Sequence, residues 1–188
     1  MSDAYLITER MTLRHPRPDD LDLLDTLNHD PEVMRYLDRH PPAREQVAAE
    51  LAATIEAQRA DRDHGRFIAE DRGTGAFLGW FGLEVGDDGP RAPGVGWRLR
   101  TAEWGRGLAT EGARALVAHA FTDLGAERVG AETMFVNTRS RRVMEKAGLR
   151  LVRVFHEHFD DPLPGTEHGE VWYEITRDAW LRAETPAR

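Results

Sequence analysis

The segment Trp104-Gly105-Arg106-Gly107-Leu108-Ala109-Thr110-Glu111 joins a glycine turn directly to an amphipathic helix, and the interpretation of the whole chain starts from it. Two glycines within three residues allow the backbone to turn sharply, so that consecutive N–H groups converge on one point. The first N–H groups of a helix have no partner within it and carry the positive end of the helix dipole. The segment therefore predicts a site for a phosphate or another anion.

The residues on either side of this turn predict a strand before it and a helix after it. Before the turn, apolar residues alternate with glycine and arginine, as in a short strand, at Val95, Trp97 and Leu99. After it, apolar residues recur at helical spacing, at Ala109, Ala113, Leu116, Val117, Ala120, Phe121 and Leu124, and Gly125 marks the end. The segment matches neither the dinucleotide fingerprint nor the nucleotide P-loop. The alternative to an anion site is a structural connection that binds nothing.

Composition limits the class of protein. The 188 residues are 40% hydrophobic and 31% charged, an ordinary balance for a water-soluble protein, and we expect residues 1–188 to form a single domain with a frayed tail over residues 183–188. No apolar run approaches the ~20 residues that cross a bilayer, and the N-terminus has no signal pattern. The chain contains no cysteine, which excludes a thiolate nucleophile or ligand. We expect a cytoplasmic protein that does not act at a membrane.

The formal net charge of −8 argues against non-specific binding of nucleic acid, which depends on lysine and arginine neutralising phosphates. It fits a cationic partner and simple solubility equally well. Both a monomer and a homodimer are compatible with the sequence.

A second informative segment follows the helix. Alternating residues predict a strand over residues 126–136, and Asn137-Thr138-Arg139-Ser140 then opens another helix with Val143, Met144 and Ala147 facing inward. Asn137 either caps this helix or binds a ligand. Arg141 and Arg142 either neutralise a ligand phosphate or are solvated.

Both segments resemble motifs of the GNAT acetyltransferase superfamily. Gly107 and Ala109 stand at the small-residue positions of its acetyl-CoA-binding motif, Gln/Arg-x-x-Gly-x-Gly/Ala, and residues 132–149 resemble its second motif. Trp104 replaces the Gln/Arg, which resembles the branch that acetylates the N-termini of ribosomal proteins. The opening run Thr8-Glu9-Arg10-Met11-Thr12-Leu13-Arg14 is similar to the start of the same branch.

The resemblance covers most of the chain and implies an α/β (α+β) fold. We expect a mixed, mostly antiparallel sheet of about six to seven strands, with helices on both faces and a splayed central strand pair. Residues 7–15 are expected to form the opening strand, residues 43–60 a helix and residues 86–94 a loop.

The resemblance also implies that acetyl-CoA is the cosubstrate and that no metal is used. The residues expected to bind acetyl-CoA are Val95, Trp97, Leu99, Trp104, Gly105, Arg106, Gly107, Leu108, Ala109, Thr110, Asn137, Ser140 and Arg142. Ser140 matches a serine that, in the resembling branch, is thought to stabilise the departing thiolate. Met144 stands where many members have a tyrosine acid, and methionine cannot donate a proton.

A general base is required because an attacking amine must lose its proton. The stretch Phe155-His156-Glu157-His158-Phe159 concentrates titratable groups after a strand, and the resemblance implies a glutamate in this region, nearest in register to Phe159. Glu157 and His158 are therefore both candidates, and strand alternation would place them on opposite faces. A pool of metal-ligand types, His156, His158, Asp160, His168 and Glu170, fits no tight zinc spacing.

The resulting hypothesis is direct transfer of an acetyl group from acetyl-CoA to an amine, with backbone N–H groups around Val95 to Leu99 stabilising the tetrahedral intermediate. Branch resemblance favours a protein N-terminus as the acceptor. The alternatives are a small amine such as an antibiotic or polyamine, and a catalytically silent module that binds acyl-CoA.

Overall fold

The computed structural model describes residues 4–184, in which eight strands and six helices form one sheet with helices packed on it. The strands are β1 (Ala4–Ile7), β2 (Met11–Arg14), β3 (Gly65–Asp71), β4 (Phe77–Gly86), β5 (Gly89–Leu99), β6 (Arg128–Met134), β7 (Arg150–Phe155) and β8 (Glu170–Thr176). The helices are α1 (Leu21–Asn28), α2 (Pro31–Met34), α3 (Arg44–Ala60), α4 (Leu108–Thr122), α5 (Thr138–Lys146) and α6 (Arg177–Glu184). None of these helices is long and apolar enough to cross a membrane.

The strand order is β1-β2-β3-β4-β5-β6-β8-β7, and every neighbouring pair is antiparallel except β5 and β6. Those two strands are parallel and share a single residue pair, Gly94 with Gly130. The mixed, mostly antiparallel sheet with a splayed central pair is confirmed. The sheet has eight strands where the sequence predicted six to seven.

The sheet has two chemically different faces. The first, which we call the α4 face, carries Val95, Leu99 and Ala131 into the main hydrophobic core under α4. The second, the α3 face, carries Trp80 and Arg98, which pair across β4 and β5. Side chains from α1 and α3 cover the α3 face around Trp80 and Arg98. Helices on both faces confirm the predicted layer arrangement.

Helix α4 is held against the sheet by its apolar stripe. Leu116, Val117 and Phe121 are fully buried, and burial of each such side chain contributes roughly 1.5–3 kcal/mol. Gly112 lies directly on the ring of Phe81, where a Cβ atom would come within 2.3 Å of ring carbons. The close approach fixes α4 over the middle of the sheet.

Two segments differ from the sequence prediction because of local contacts. Residues 7–15 form the end of β1 and all of β2, with a turn in which Thr8 N donates to Met11 O at 2.9 Å. Residues 86–94 belong mostly to strands, because Gly86 pairs with Gly89 across a two-residue turn. Gly89 has a positive φ of 87° there, a conformation that glycine adopts without strain.

The C-terminal helix α6 was not predicted. Its residues Ala179 and Trp180 pack against the core, and the Trp180 ring lies 5.4 Å from that of Phe121. Residues 183 and 184 belong to this helix, so the predicted tail is wrong there, and residues 185–188 lie outside the described part of the chain. The single domain over residues 1–188 stays a prediction.

The glycine pair that joins β5 and β6 yields a matched test of packing. A Cβ atom at Gly130 would lie 2.1 Å from the Trp172 ring, whereas one at Gly94 would meet nothing within 4 Å. We expect Gly130→Ala to lower the free energy of unfolding by about 1–3 kcal/mol, because the indole must move. Gly94→Ala should change it by less than about half of that. Denaturant unfolding measures both, and equal losses would contradict this account of the pair.

Candidate active site

The glycine turn presents free backbone donors where α4 begins. Gly105 and Gly107 have positive φ values of 74° and 82°, and Gly107 is the N-cap residue of α4. The N–H of Glu111 makes the first helical bond, to Gly107 O at 3.0 Å. The three N–H groups before it have no helical partner, and the glycine cap has no side chain to accept from them. These donors fit a phosphate or pyrophosphate, as the sequence predicted.

Glu111 anchors this turn to the β1–β2 turn. Its carboxylate accepts from Thr8 Oγ1 at 2.6 Å, from Arg10 N at 2.8 Å and from Arg10 Nε at 2.6 Å. Arg10 also donates through Nη1 to Arg106 O at 2.8 Å. Burial alone would raise the pKa of Glu111, but these hydrogen bonds hold it below its ordinary value. The residue therefore stays ionised and fixes the backbone of the turn.

Trp104 connects the two sequence motifs. Its indole Nε1 donates to Leu99 O at 2.9 Å, and the guanidinium of Arg139 on α5 lies 5.1 Å from its ring centre. Arg139 and Arg142 are exposed and three residues apart, so both lie on one side of α5. The sequence did not single out Arg139, although it stands in the quoted motif.

Arg106 and Arg141 make contacts within the protein. Arg106 is half-exposed and ion-paired with Glu103. Arg141 donates to Tyr173 Oη at 3.1 Å and to Phe135 O at 2.9 Å. The sequence left the roles of Arg141 and Arg142 open. Arg141 is held in place by these contacts with core residues, and Arg142 is exposed.

The predicted strand residues contribute their backbone to the site. Val95 and Leu99 are buried on the α4 face, and Trp97 is partly buried against the same core. Their side chains are therefore turned from the α3 face, and only one β5 residue pairs with β6. Beyond Gly94, backbone N–H and C=O groups on this edge of β5 can donate hydrogen bonds to a ligand between the strands or accept hydrogen bonds from it.

Asn137 caps α5, which is one of the two roles that the sequence left open. Its Oδ1 accepts from Ser140 N at 3.2 Å, and its Nδ2 donates to Thr133 Oγ1 at 3.0 Å. The hydroxyl of Ser140 is half-buried and has no hydrogen-bond partner among residues 4–184. Met144 is 1% exposed within the core, so its position cannot deliver an acid to the site.

A carboxylate cluster lies on the α3 face where β6 ends and β8 begins. Glu170 pairs with Met134 of β6 and with Phe155 of β7, and Glu132 is its diagonal neighbour on the same face. Glu170 is 8% exposed. Burial, followed by the charges of Glu132 and Glu157, raises its pKa to about 7. Burial and Glu157 also raise the pKa of Glu132, and Arg153 opposes this shift.

The two predicted catalytic candidates in this region have different surroundings. Glu157 contributes its charge to Glu170 and Glu132 and so belongs to the carboxylate cluster. The His158 side chain is 93% exposed and lies 3.8 Å from Asp160. The alternation predicted for residues 156–158 does not apply, because β7 ends at Phe155.

Glu170 entered the sequence prediction only as a metal-ligand type, since its neighbours come from two other strands. Within residues 4–184, no group of three or more histidine, aspartate or glutamate side chains is arranged to hold a metal ion. The sequence shows only that Glu170 directly precedes the last predicted strand, and its pairing with Met134 and Phe155 becomes visible in the folded sheet.

Comparison with known proteins adds independent information. Residues 10–150 match the acetyltransferase (GNAT) domain. The chain is 36% identical over 169 residues to the Aspergillus fumigatus FsC-acetyl coenzyme A-N(2)-transacetylase, covering 86% of this chain and 71% of that protein.

Solved structures show the same fold. A GNAT-family acetyltransferase from Bacillus anthracis superposes with a TM-score of 0.78 at 22% identity, covering 92% of this chain and 98% of that one. RimL, a ribosomal L7/L12 alpha-N-protein acetyltransferase in complex with coenzyme A, superposes with a TM-score of 0.76 at 16% identity. The overlap covers 92% of this chain and 97% of RimL.

The open donors of the glycine turn thus stand in the segment that the family model and the relatives share. The chain belongs to the GNAT acetyltransferase family and is an acetyl-CoA-dependent N-acetyltransferase.

Proposed function

We propose that this enzyme transfers the acetyl group directly to a primary amine bound on the α3 face, with Glu170 as the general base. The observation that carries the proposal is the buried Glu170 carboxylate, whose pKa is raised to about 7. A base of that pKa is half ionised near neutral pH, where proton abstraction is most efficient. Glu132 and Glu157 add negative charge that attracts an ammonium group to the same place.

Each part of the chain has a defined task in this reaction. Acetyl-CoA supplies the thioester, and the N–H groups of Leu108, Ala109 and Thr110 hold its pyrophosphate. The amine nitrogen forms a bond to the thioester carbonyl carbon while its proton passes to Glu170. The carbon–sulfur bond breaks, and the Ser140 hydroxyl donates to the departing thiolate. Backbone N–H groups of β5 between Val95 and Leu99 stabilise the oxyanion.

The remaining predicted residues support the cosubstrate. Gly105 and Gly107 shape the turn, and Trp104 and Arg106 flank it. Arg142 and Arg139 offer positive charge to the phosphates. Asn137 keeps α5 in position through its cap, and one of its amide hydrogens remains for the pantetheine arm.

The acceptor class is the finer part of the proposal. Resemblance to the ribosomal-protein branch favours a protein N-terminus, and the A. fumigatus relative is named for transfer to a nitrogen of FsC. A panel of one N-terminal peptide, one polyamine, one aminoglycoside and small amino acids distinguishes these acceptors. Binding of acetyl-CoA with no transfer to any amine would support the silent module instead.

Replacement of Gly107 by valine tests the pyrophosphate site. A β-branched residue is strained at a φ of 82°, so the N–H groups should lose their common direction. We expect calorimetry to show at least a tenfold loss of acetyl-CoA affinity. Gly75→Val is the matched control, because Gly75 has a φ of 73° with no atom near its missing Cβ. Equal affinities in both variants would remove the proposed phosphate site.

Removal of the Ser140 hydroxyl tests its role toward the thiolate. We expect Ser140→Ala to lower kcat by about 10-fold, the value of one hydrogen bond to a charged group, and to leave the acetyl-CoA Kd unchanged. Thr138→Ala removes an exposed hydroxyl from the same helix turn and should change neither quantity. A matching rise of Kd in Ser140→Ala would assign the residue to binding.

The pH dependence of the reaction tests Glu170. Wild-type kcat/KM should rise with pH through about 7 as this carboxylate ionises. Glu170→Gln should lose this rise with pH, and its rate should fall at least 100-fold.

The same pKa shift affects the stability of the fold. The pKa of Glu170 in the folded protein lies above the ordinary 4.5, so its contribution to the free energy of unfolding is present below pH 4.5 and is lost as pH rises through 7.

The control for this experiment is Glu174→Gln, which removes a carboxylate from the same face of β8. It should retain the rising limb near pH 7. Persistence of the limb in Glu170→Gln would show that another group is the base, and the Glu157→Gln profile would then be measured.

A further inference from the structure

A partly buried arginine on β5 lacks a carboxylate partner. Arg98 lies on the α3 face, and its guanidinium donates to Asn28 Oδ1 on α1 and stands 5.4 Å from the Trp80 ring centre. Its Nε is buried without a hydrogen-bond partner, and no carboxylate among residues 4–184 lies within ion-pairing distance of it. Asn28 is itself 7% exposed and neutral, so it satisfies a donor without forming an ion pair.

The neighbouring Arg66 shows the contrast. It lies over the other part of the Trp80 surface, 4.9 Å from the ring centre, and ion-pairs with Glu50 at 3.6 Å and Glu84 at 3.4 Å. Burial, followed by the charge of Arg66, lowers the pKa of Arg98 to about 10, with Glu50 opposing the shift. Arg98 is still a cation at neutral pH. A partly buried charge without an ion-pair partner opposes folding, which is the arrangement expected of a site that an anion completes.

Arg98 lines a cleft between the sheet and the helices α1 and α3. Leu24 and Asn28 of α1, Leu51 of α3, and Trp80 of β4 form its walls. Glu50 and Arg66 also line the cleft and ion-pair with each other, so Arg98 is the lining cation that has no carboxylate partner. The apolar walls beside it suit a small carboxylate on a short carbon chain.

The β5 backbone between this cleft and the carboxylate cluster carries no side chain on the α3 face. Gly94 and Gly96 occupy the two intervening positions, and Cβ atoms there would meet nothing closer than the Trp80 ring at 4.0 Å. Arg98 is four residues beyond Gly94, and Glu132 is two residues beyond its partner Gly130. Because side chains alternate between faces, Arg98 and Glu132 lie on the same face.

We infer that the acceptor carries a carboxylate, bound by Arg98 and Asn28, together with the amine that reacts beside Glu132 and Glu170. This inference rests on the proposed function and names its substrate class, a small amino acid or an amine with an attached carboxylate. A polyamine has no anion for Arg98. A protein N-terminus offers a neutral peptide carbonyl at the corresponding place and would leave the charge unpaired.

The test compares amines whose far end is either a carboxylate or the matching carboxamide, at equal concentrations of the unprotonated amine. Glycine, β-alanine, 4-aminobutanoate and 5-aminopentanoate are each measured beside the matching carboxamide, both as acceptors in acetyl transfer and as ligands by calorimetry in the presence of coenzyme A. For the best chain length we expect the carboxylate to be favoured about 10- to 100-fold in kcat/KM and in Kd. Arg98→Gln should abolish the preference and leave the carboxamide values within about twofold.

Arg66→Gln is the matched control, since it removes a neighbouring cation that already has carboxylate partners. It should retain the preference for the carboxylate. Arg98→Gln should also unfold at a temperature no lower than that of the wild type, because it removes a partly buried charge that has no ion-pair partner.

The outcomes separate this inference from the proposed function. Equal use of carboxylate and carboxamide by an active wild type overturns the inference alone, as does an equal loss of both in Arg98→Gln. Transfer to no amine with an intact calorimetric preference for carboxylates overturns the proposed function and keeps the Arg98 site. A lower unfolding temperature in Arg98→Gln with unchanged selectivity would make Arg98 a structural residue.

Discussion

The single pairing between the parallel strands β5 and β6 is the constraint on which the site depends. Gly94 and Gly130 hold the two strands together at one point, and no ladder continues beyond them in the described sheet. Backbone groups that would otherwise bond across the sheet are left for a ligand, which a closed sheet would not allow. Helices α4 and α5 both follow the diverging ends of these parallel strands, so both helices begin at the same edge of the sheet.

An opening of this kind needs external support, because the missing ladder bonds no longer fix the following turn. Glu111 supplies that support with three hydrogen bonds from Thr8 and Arg10. The stacking of Arg139 on Trp104 links the turn to α5. The ionised Glu111 carboxylate holds the turn through hydrogen bonds of defined direction. It does not use the N–H groups at the start of α4. The motif glutamate and the opening run thus form one structural unit, although about 100 residues separate them.

The sequence predicted those features whose signal is local. The glycine turn, the stripe of α4 and the strand before it depend on backbone freedom and periodicity, and all three are confirmed. The break between β1 and β2 depends on Glu111, and helix α6 depends on contact with Phe121, so neither has a strong signal of its own. Glu170 is the clearest case, because its raised pKa comes from burial between β6 and β7 and from the charges of Glu132 on β6 and Glu157 after β7. A chemically ordinary glutamate becomes a candidate base only after the sheet has formed.

The charge distribution on the α3 face gives a physical reason for acceptor selection. A strongly acidic pocket alone would attract any ammonium group, including those of polyamines, and the net charge of −8 would assist all of them equally. Arg98 changes this, because a second ammonium group beside an unpaired guanidinium is repelled, whereas a carboxylate is attracted. Gly94 and Gly96 on β5 add no side chain of their own between the two charges. In the proposed acceptor site, selection would arise as much from the cost of leaving Arg98 unpaired as from the contacts that a carboxylate gains.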